Sequence, residues 1–160
     1  FFDDVLTPVE RCNSLLVAQF VETLKQAHAL GVMHRDVRPE NLMIDLNGKA
    51  VLNDWGCAVA QKVVSSIPFE GTFRYAGAEV LAAALKQENR CPKAQDDLHA
   101  LLRSVLAITF DLRAKLSQIE QGDFLAAQKF WEQWRFQHPV FEAFFIAADK
   151  LDYAVLCGLT

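Results

Sequence analysis

The polar run His34-Arg35-Asp36-Val37-Arg38-Pro39-Glu40-Asn41 holds an imidazole, two carboxylates, two guanidiniums and an amide in one short loop, and Asp54-Trp55-Gly56 follows downstream. Between them lie two apolar runs, Asn41-Leu42-Met43-Ile44 and Ala50-Val51-Leu52, around Asp45-Leu46-Asn47-Gly48-Lys49. An Asn-Gly pair between apolar runs is the strongest short hairpin signal. A hairpin here puts Asp36 on the loop before it and Asn41 and Asp54 on its two arms, so three oxygen-bearing side chains converge. Asn and Asp oxygens are hard ligands suited to Mg²⁺, which binds phosphate and few protein groups. Asp36 is left to orient a hydroxyl or accept its proton. Phosphoryl transfer needs little more, because positioning and charge neutralisation dominate it.

The elements that must hold these loops are mainly helical. Leu16, Val17, Phe20, Val21 and Leu24 recur at helical spacing, predicting a helix over 14–30 capped by Asn13 or Ser14 and stopped by Gly31. From Gly56 to Gly77 no period is sustained, which predicts a long ordered loop. Further helices are predicted over 78–86, 97–110, 124–136 and 140–154. The second of these is apolar nearly all round and so reads as a buried central helix. His138-Pro139 breaks the last pair.

Composition sets limits. The 160 residues are 52% apolar and 22% charged with a net charge of −4, ordinary for one globular domain and without the basic field that attracts nucleic acid or anionic lipid. No apolar run approaches the roughly 20 residues of a membrane span. Cys12, Cys57, Cys91 and Cys157 are scattered, so free thiols in a reducing, intracellular compartment are expected. His28, His99 and His138 read as packing or surface residues, Cys57 as a small buried filler, and Trp131 and Trp134 with Phe124, Phe130 and Phe136 as a helical core face.

Taken together, these motifs resemble those of the eukaryotic protein kinases. His34–Asn41 is similar to the catalytic loop HRDLKPEN, changed at Val37 and Arg38, and Asp54-Trp55-Gly56 is similar to the metal-binding DFG. The interval between them is also the family's. Gly71-Thr72-Phe73-Arg74-Tyr75-Ala76-Gly77-Ala78-Glu79 resembles the GTxxYxAPE end of an activation segment, without its proline. The resemblance implies a mainly α, protein-kinase-like C-terminal lobe with a small β-hairpin. Residues 1–13 would be a hinge-like connector, with Leu6-Thr7-Pro8-Val9 as the tail of the hinge, and 14–160 the lobe itself. Within it lie the catalytic loop 34–41, the metal motif 54–56 and the activation segment 54–79. Nothing resembles the Gly-rich loop, strand Lys or helix Glu of the N-terminal lobe. That lobe is expected upstream in a longer parent, the chain beginning at Phe1 without Met.

The resemblance also implies roles. ATP and Mg²⁺ are the cofactors and a protein substrate the partner. Asp36 is the catalytic base, and Arg38, where the family has Lys, lies near the transferred phosphate. Asn41 and Asp54 hold the metal, and Met43 floors the adenine pocket. His34 belongs to the loop's structural set. Arg35 reaches toward the activation loop, which carries Ser65, Ser66 and Thr72, and Thr72 contacts the catalytic Asp. Glu79 pairs with a C-terminal Arg, for which Arg135 is the candidate, and Asp97 anchors the catalytic-loop backbone. Arg38-Pro39-Glu40 is closer to the KPE of Ser/Thr kinases than to tyrosine kinases. The hinge phrase, the catalytic loop and residues 96–108 also resemble, more loosely, the kinase-type domains of Crinkler-like effectors and related fungal kinases, for which a host cell would be the location.

Two other readings stand beside this one. Small-molecule kinases of the aminoglycoside or choline phosphotransferase type share the HxDxxxxN loop and a DWG-like metal motif, but lack a peptide-docking activation segment. A pseudokinase serving as a binding module or scaffold is the third, and the retention of Asp36, Asn41 and Asp54 speaks against it.

Overall fold

A computed structural model describes residues 5–62 and 65–159, so the first four positions of the expected connector lie outside it. Helix α1 runs Ser14–Ala29, with the Asn13 side chain accepting from Leu16 N–H at 2.9 Å. Its buried face is Leu16, Val17, Phe20, Val21 and Leu24, each contributing roughly 1.5–3 kcal/mol on burial. Gly31 follows at φ +75°, a conformation that L side chains rarely adopt.

Five short strands then bracket the polar loops. They are β1 (Thr7–Pro8), β2 (Val32–Met33), β3 (Leu42–Ile44), β4 (Ala50–Leu52) and β5 (Val59–Ala60). The expected hairpin is β3–β4, antiparallel with Leu42 opposite Leu52, and β1 joins its other edge with Pro8 opposite Met43. Asp45 Oδ1 closes its turn by accepting from Asn47 N–H and Lys49 N–H at 2.8 and 2.9 Å. β2 pairs with β5, Val32 opposite Ala60 and Met33 opposite Val59. The loop 34–41 therefore leaves one ladder and enters the other, and the loop 53–58 returns from the second to the first. Both polar loops are tied at both ends to the same two ladders, which holds them side by side.

The helical half follows the apolar pattern. α2 is Ala78–Leu85 and α3 is Ala94–Thr109. α3 begins three residues ahead of Asp97, because the Asp96 carboxylate accepts from Lys93 N–H at 2.9 Å and starts the helix there. It is buried almost all round, from Asp97 and Leu98 through Leu101 to Ile108. α4 (Arg113–Ser117) was not foreseen, being too short to show a period. α5 is Phe124–Gln137, and a 3₁₀ turn at Pro139–Phe141 follows. The single helix expected over 140–154 is in fact two, α6 (Glu142–Asp149) and α7 (Tyr153–Leu156). Leu151 turns left-handed at φ +56°, and Asp152 caps α7 by accepting from Val155 N–H.

Trp131 and Trp134 are buried in the core face as expected, but Phe136 is 86% exposed. It sits on the outer side of α5, so it does not belong to that face. No helix among the described residues is long and apolar enough to cross a membrane.

Candidate active site

The loop 34–41 is fixed first at its backbone. Asp97, 1% exposed on α3, accepts from His34 N–H at 2.8 Å through Oδ2 and from Arg35 N–H at 2.9 Å through Oδ1. His28 of α1 also meets Oδ2, its Nε2 at 2.8 Å, while its Nδ1 meets the Tyr153 hydroxyl of α7 at 2.8 Å. A consistent set of donors has the phenol donating to Nδ1 and Nε2–H donating to the carboxylate. Burial and the Asp97 charge both push the Tyr153 phenol up, which keeps it a protonated donor.

His34 is fully buried and spans the two loops. Its Nδ1 accepts from Asp36 N–H at 3.1 Å, so the ring proton sits on Nε2 and is donated to the Asn53 carbonyl at 2.9 Å. The Trp55 ring meets it edge-on, with centroids 4.5 Å apart, and Trp55 Nε1 donates to the Leu52 carbonyl. A backbone bond from Asn53 N–H to the Asn41 carbonyl, 2.9 Å, ties the second loop to the first.

The Asp36 carboxylate, 9% exposed, is oriented from two directions. Thr72 N–H donates to Oδ1 at 2.9 Å, and Asn41 Nδ2 lies 3.4 Å from Oδ2 while donating to the Asp36 carbonyl at 2.8 Å. Arg38 Nε approaches Oδ2 at 3.7 Å. Gly71, just before Thr72, has φ +101°, and a Cβ there would stand 2.6 Å from the Arg35 carbonyl oxygen. Only glycine lets the segment come this close. Arg35, itself at φ +72°, sends its guanidinium across to the carbonyls of Pro68 (3.0 Å) and Cys57 (3.3 Å) and to Glu70 (3.4 Å). Asp54 is exposed and also left-handed, at φ +54°, with Gly56 N–H on its Oδ1 at 3.2 Å. Strained backbone of this kind persists where the surroundings hold it, and it gathers at functional sites.

A family model for the protein kinase domain matches residues 6–125, well over half of the chain. The chain belongs to the protein kinase family. This kinase domain is 30% identical over 112 residues to the probable serine/threonine-protein kinase FMP48 of Saccharomyces cerevisiae, covering 69% of this chain and 30% of that protein. It is 37% identical over 76 residues to the serine/threonine-protein kinase PSK2 of the same yeast, covering 48% and 7%. It is 34% identical over 86 residues to the probable serine/threonine-protein kinase pknA2 of Bifidobacterium longum, covering 54% and 11%. The chain thus spans less than a third of each relative's length.

The donor set of the kinase domain suits a Mg²⁺–nucleotide. Among the described residues, Asn41 turns its Nδ2 toward Asp36 and leaves its Oδ1 without a hydrogen bond, and Asp54 accepts only from Gly56. One amide oxygen and one carboxylate on neighbouring strand ends match a cation that keeps phosphate and water as its other ligands. No cluster of three His, Cys, Asp or Glu that could cage a metal occurs among the described residues. Met43 lies half-buried on β3.

Three positions differ from what the sequence led one to expect. Glu79 does not meet Arg135: it pairs with Arg90 at 3.2 Å and Lys93 at 3.5 Å, while Arg135 is held by Glu142 one helix later. The buried guanidinium in this region is instead Arg103 of α3, which donates to the Ala76 carbonyl and lies over the Trp131 ring. Burial pushes the Arg103 guanidinium down to about 9. Cys57 is half-buried rather than a core filler. Sequence reasoning treated His28 as packing and passed over Tyr153. No local pattern marks either, since their partners lie far along the chain.

Proposed function

We propose that this chain carries the catalytic face of an ATP-dependent kinase that phosphorylates Ser or Thr of a protein substrate, residues 14–160 forming its C-terminal lobe behind the connector 1–13. The observation that carries the reading is the Asp36 carboxylate, held by Thr72 N–H and Asn41 next to the free oxygens of Asn41 and Asp54. Bound Mg-ATP supplies the phosphoryl group and the divalent charge that offsets its oxygens. Asp36 orients the acceptor hydroxyl and takes its proton. Arg38 places a fixed positive charge beside that carboxylate, Asn41 and Asp54 present hard oxygens to the cation, and Met43 faces the base. His34, Arg35, Thr72 and Asp97 hold these groups in place, while Glu79 pairs with Arg90 and Lys93 beyond the end of that loop. Thr72 fixes Asp36 through its backbone N–H, so its hydroxyl is not needed for that contact. All four cysteines are unpaired, in keeping with an intracellular, reducing compartment.

The test is Mg²⁺-dependent transfer of labelled phosphate from ATP to a generic protein substrate by the full-length natural protein, with Asp36→Asn and Asp54→Ala variants. Both variants should lose about 10³-fold or more in rate while melting like the wild type. Absence of transfer together with absence of a thermal shift by Mg-ATP would overturn the catalytic reading and leave a scaffold in its place.

A further inference from the structure

Beside Asp36 opens a cleft lined by Arg38, Glu40, Thr72, Arg74, Tyr75 and Arg113. Three guanidiniums face one carboxylate there, so its charge is opposite in sign to that of the chain as a whole, −4. Their commitments differ. Arg74 is used up by the fold: Nε donates to the Leu116 carbonyl at 3.0 Å, Nη2 to that of Ile119 at 2.7 Å, and the group lies over the Phe73 ring. Arg38 leans toward Asp36, and its buried Nε has no hydrogen-bond partner among the described residues. The side chain of Arg113, the first residue of α4, makes no hydrogen bond or ion pair among the described residues. Burial and the Glu40 charge push the Tyr75 phenol up to about 12, so at neutral pH it remains an uncharged donor on the cleft wall.

We propose that this cleft selects the substrate by receiving an anionic side chain of the substrate peptide, carboxylate or phosphate, next to the acceptor hydroxyl, with Arg113 as the recognising group. The proposal rests on the reading of Asp36 as the residue that meets the acceptor, since that fixes where the peptide lies. A planar guanidinium with open donors matches a carboxylate or phosphate edge-on, and a cleft wall that limits water strengthens the pair. A Lys or Arg on the peptide would meet like charge from three sides. Two groups favour the opposite preference: Glu40 at the cleft wall, which is exposed, and the Asp36 carboxylate beside the cleft, which already has Arg38 Nε at 3.7 Å and Thr72 N–H at 2.9 Å.

The experiment compares four peptides that share one acceptor Ser and carry neutral, Glu, phosphoserine or Lys flanks. Full-length protein and its Arg113→Ala and Arg113→Glu variants are assayed for kcat/KM and, separately, for binding of the fluorescein-labelled peptides by anisotropy at low and high salt. Wild-type protein should favour an anionic peptide over the neutral one by about tenfold, mostly through KM, with binding weakened by salt. The Glu and phosphoserine arms tell which anion is used. Arg113→Ala should remove most of that ratio and leave neutral-peptide turnover unchanged, and Arg113→Glu should reverse it toward Lys. Equal use of anionic and neutral peptides, or a ratio unmoved by either variant, overturns the proposal. If no peptide is phosphorylated, the kinase reading has failed, and the anisotropy comparison alone decides the cleft.

Discussion

Two regions meet at Asp36 and are built in opposite ways. On one side, the backbone of His34 and Arg35 hangs on Asp97, a buried carboxylate that gathers α3, α1, α7 and the loop through charge-assisted bonds spanning 62 to 69 residues of sequence. On the other side, the described residues of the segment 56–71 are tied down by the short β5 ladder, an isolated bridge between Ile67 and Arg90, and the reach of Arg35 to Pro68 and to a Glu70 that is 61% exposed. The first set is dry and mutually satisfied. The second is wet, and exposed ion pairs contribute little. The Asp36 carboxylate is thus held firmly from below and adjustably from above, so the fold can be stable while the site remains adjustable.

The largest effect that would break this contrast lies at Asp97. Asp97→Ala strands the buried His34 N–H, the part-buried Arg35 N–H and His28, and about 3–5 kcal/mol of stability should go with it, read as a lower urea midpoint; a loss under about 1 kcal/mol would show that the junction is not the anchor. Gly71→Ala tests the seam between the regions. Its Cβ would meet the Arg35 carbonyl at 2.6 Å in a left-handed conformation, so a loss of about 1–3 kcal/mol is expected, with a fall in phosphoryl transfer larger than the stability change explains. Arg35→Met should cost about 1 kcal/mol or less in global unfolding, yet speed limited proteolysis within 56–71 severalfold; equal proteolysis rates would mean that Arg35 does not tether the segment.

The smallest effect is one of pH. Burial lowers His99 of α3 below its ordinary 6.5, against the pull of Asp149 in the other direction. The unfolded chain therefore binds this proton before the folded one does, and the contribution of His99 to stability shrinks as pH falls through about 6.5. Urea midpoints at pH 7.5 and 5.5 should differ less in His99→Gln than in the wild type, and an identical pH slope would remove the effect.

Legibility in the sequence followed the same division. The neighbouring loops at 34–41 and 53–58 and the hairpin between them could be read because each is a local pattern: an Asn-Gly turn between apolar runs, and polar residues at fixed offsets. α1 and α3 declared themselves by period. What stayed hidden was set by distant partners or was too short to repeat. β1, β2 and β5 have two residues each, below any alternation, and α4 is little longer than one turn. The break after α6 came from Leu151 adopting a positive φ, which composition does not announce. Glu79 found Arg90 and Lys93 rather than Arg135 because the nearer cations were available and Glu142 had already engaged Arg135. Gly71 stood in plain view within a motif, but only the contact with the Arg35 carbonyl explains why it must be glycine.

Three tryptophans are placed unequally across this architecture. Trp131 and Trp134 are 1% and 6% exposed, whereas Trp55 is 37% exposed and rests its ring edge on His34. A water-soluble quencher such as acrylamide reaches Trp55 alone, so its quenchable emission comes from a single indole touching both polar loops. The native chain thus carries a fluorescent reporter at Asp54-Trp55-Gly56, and rearrangement of that run can be followed by emission without attaching a dye.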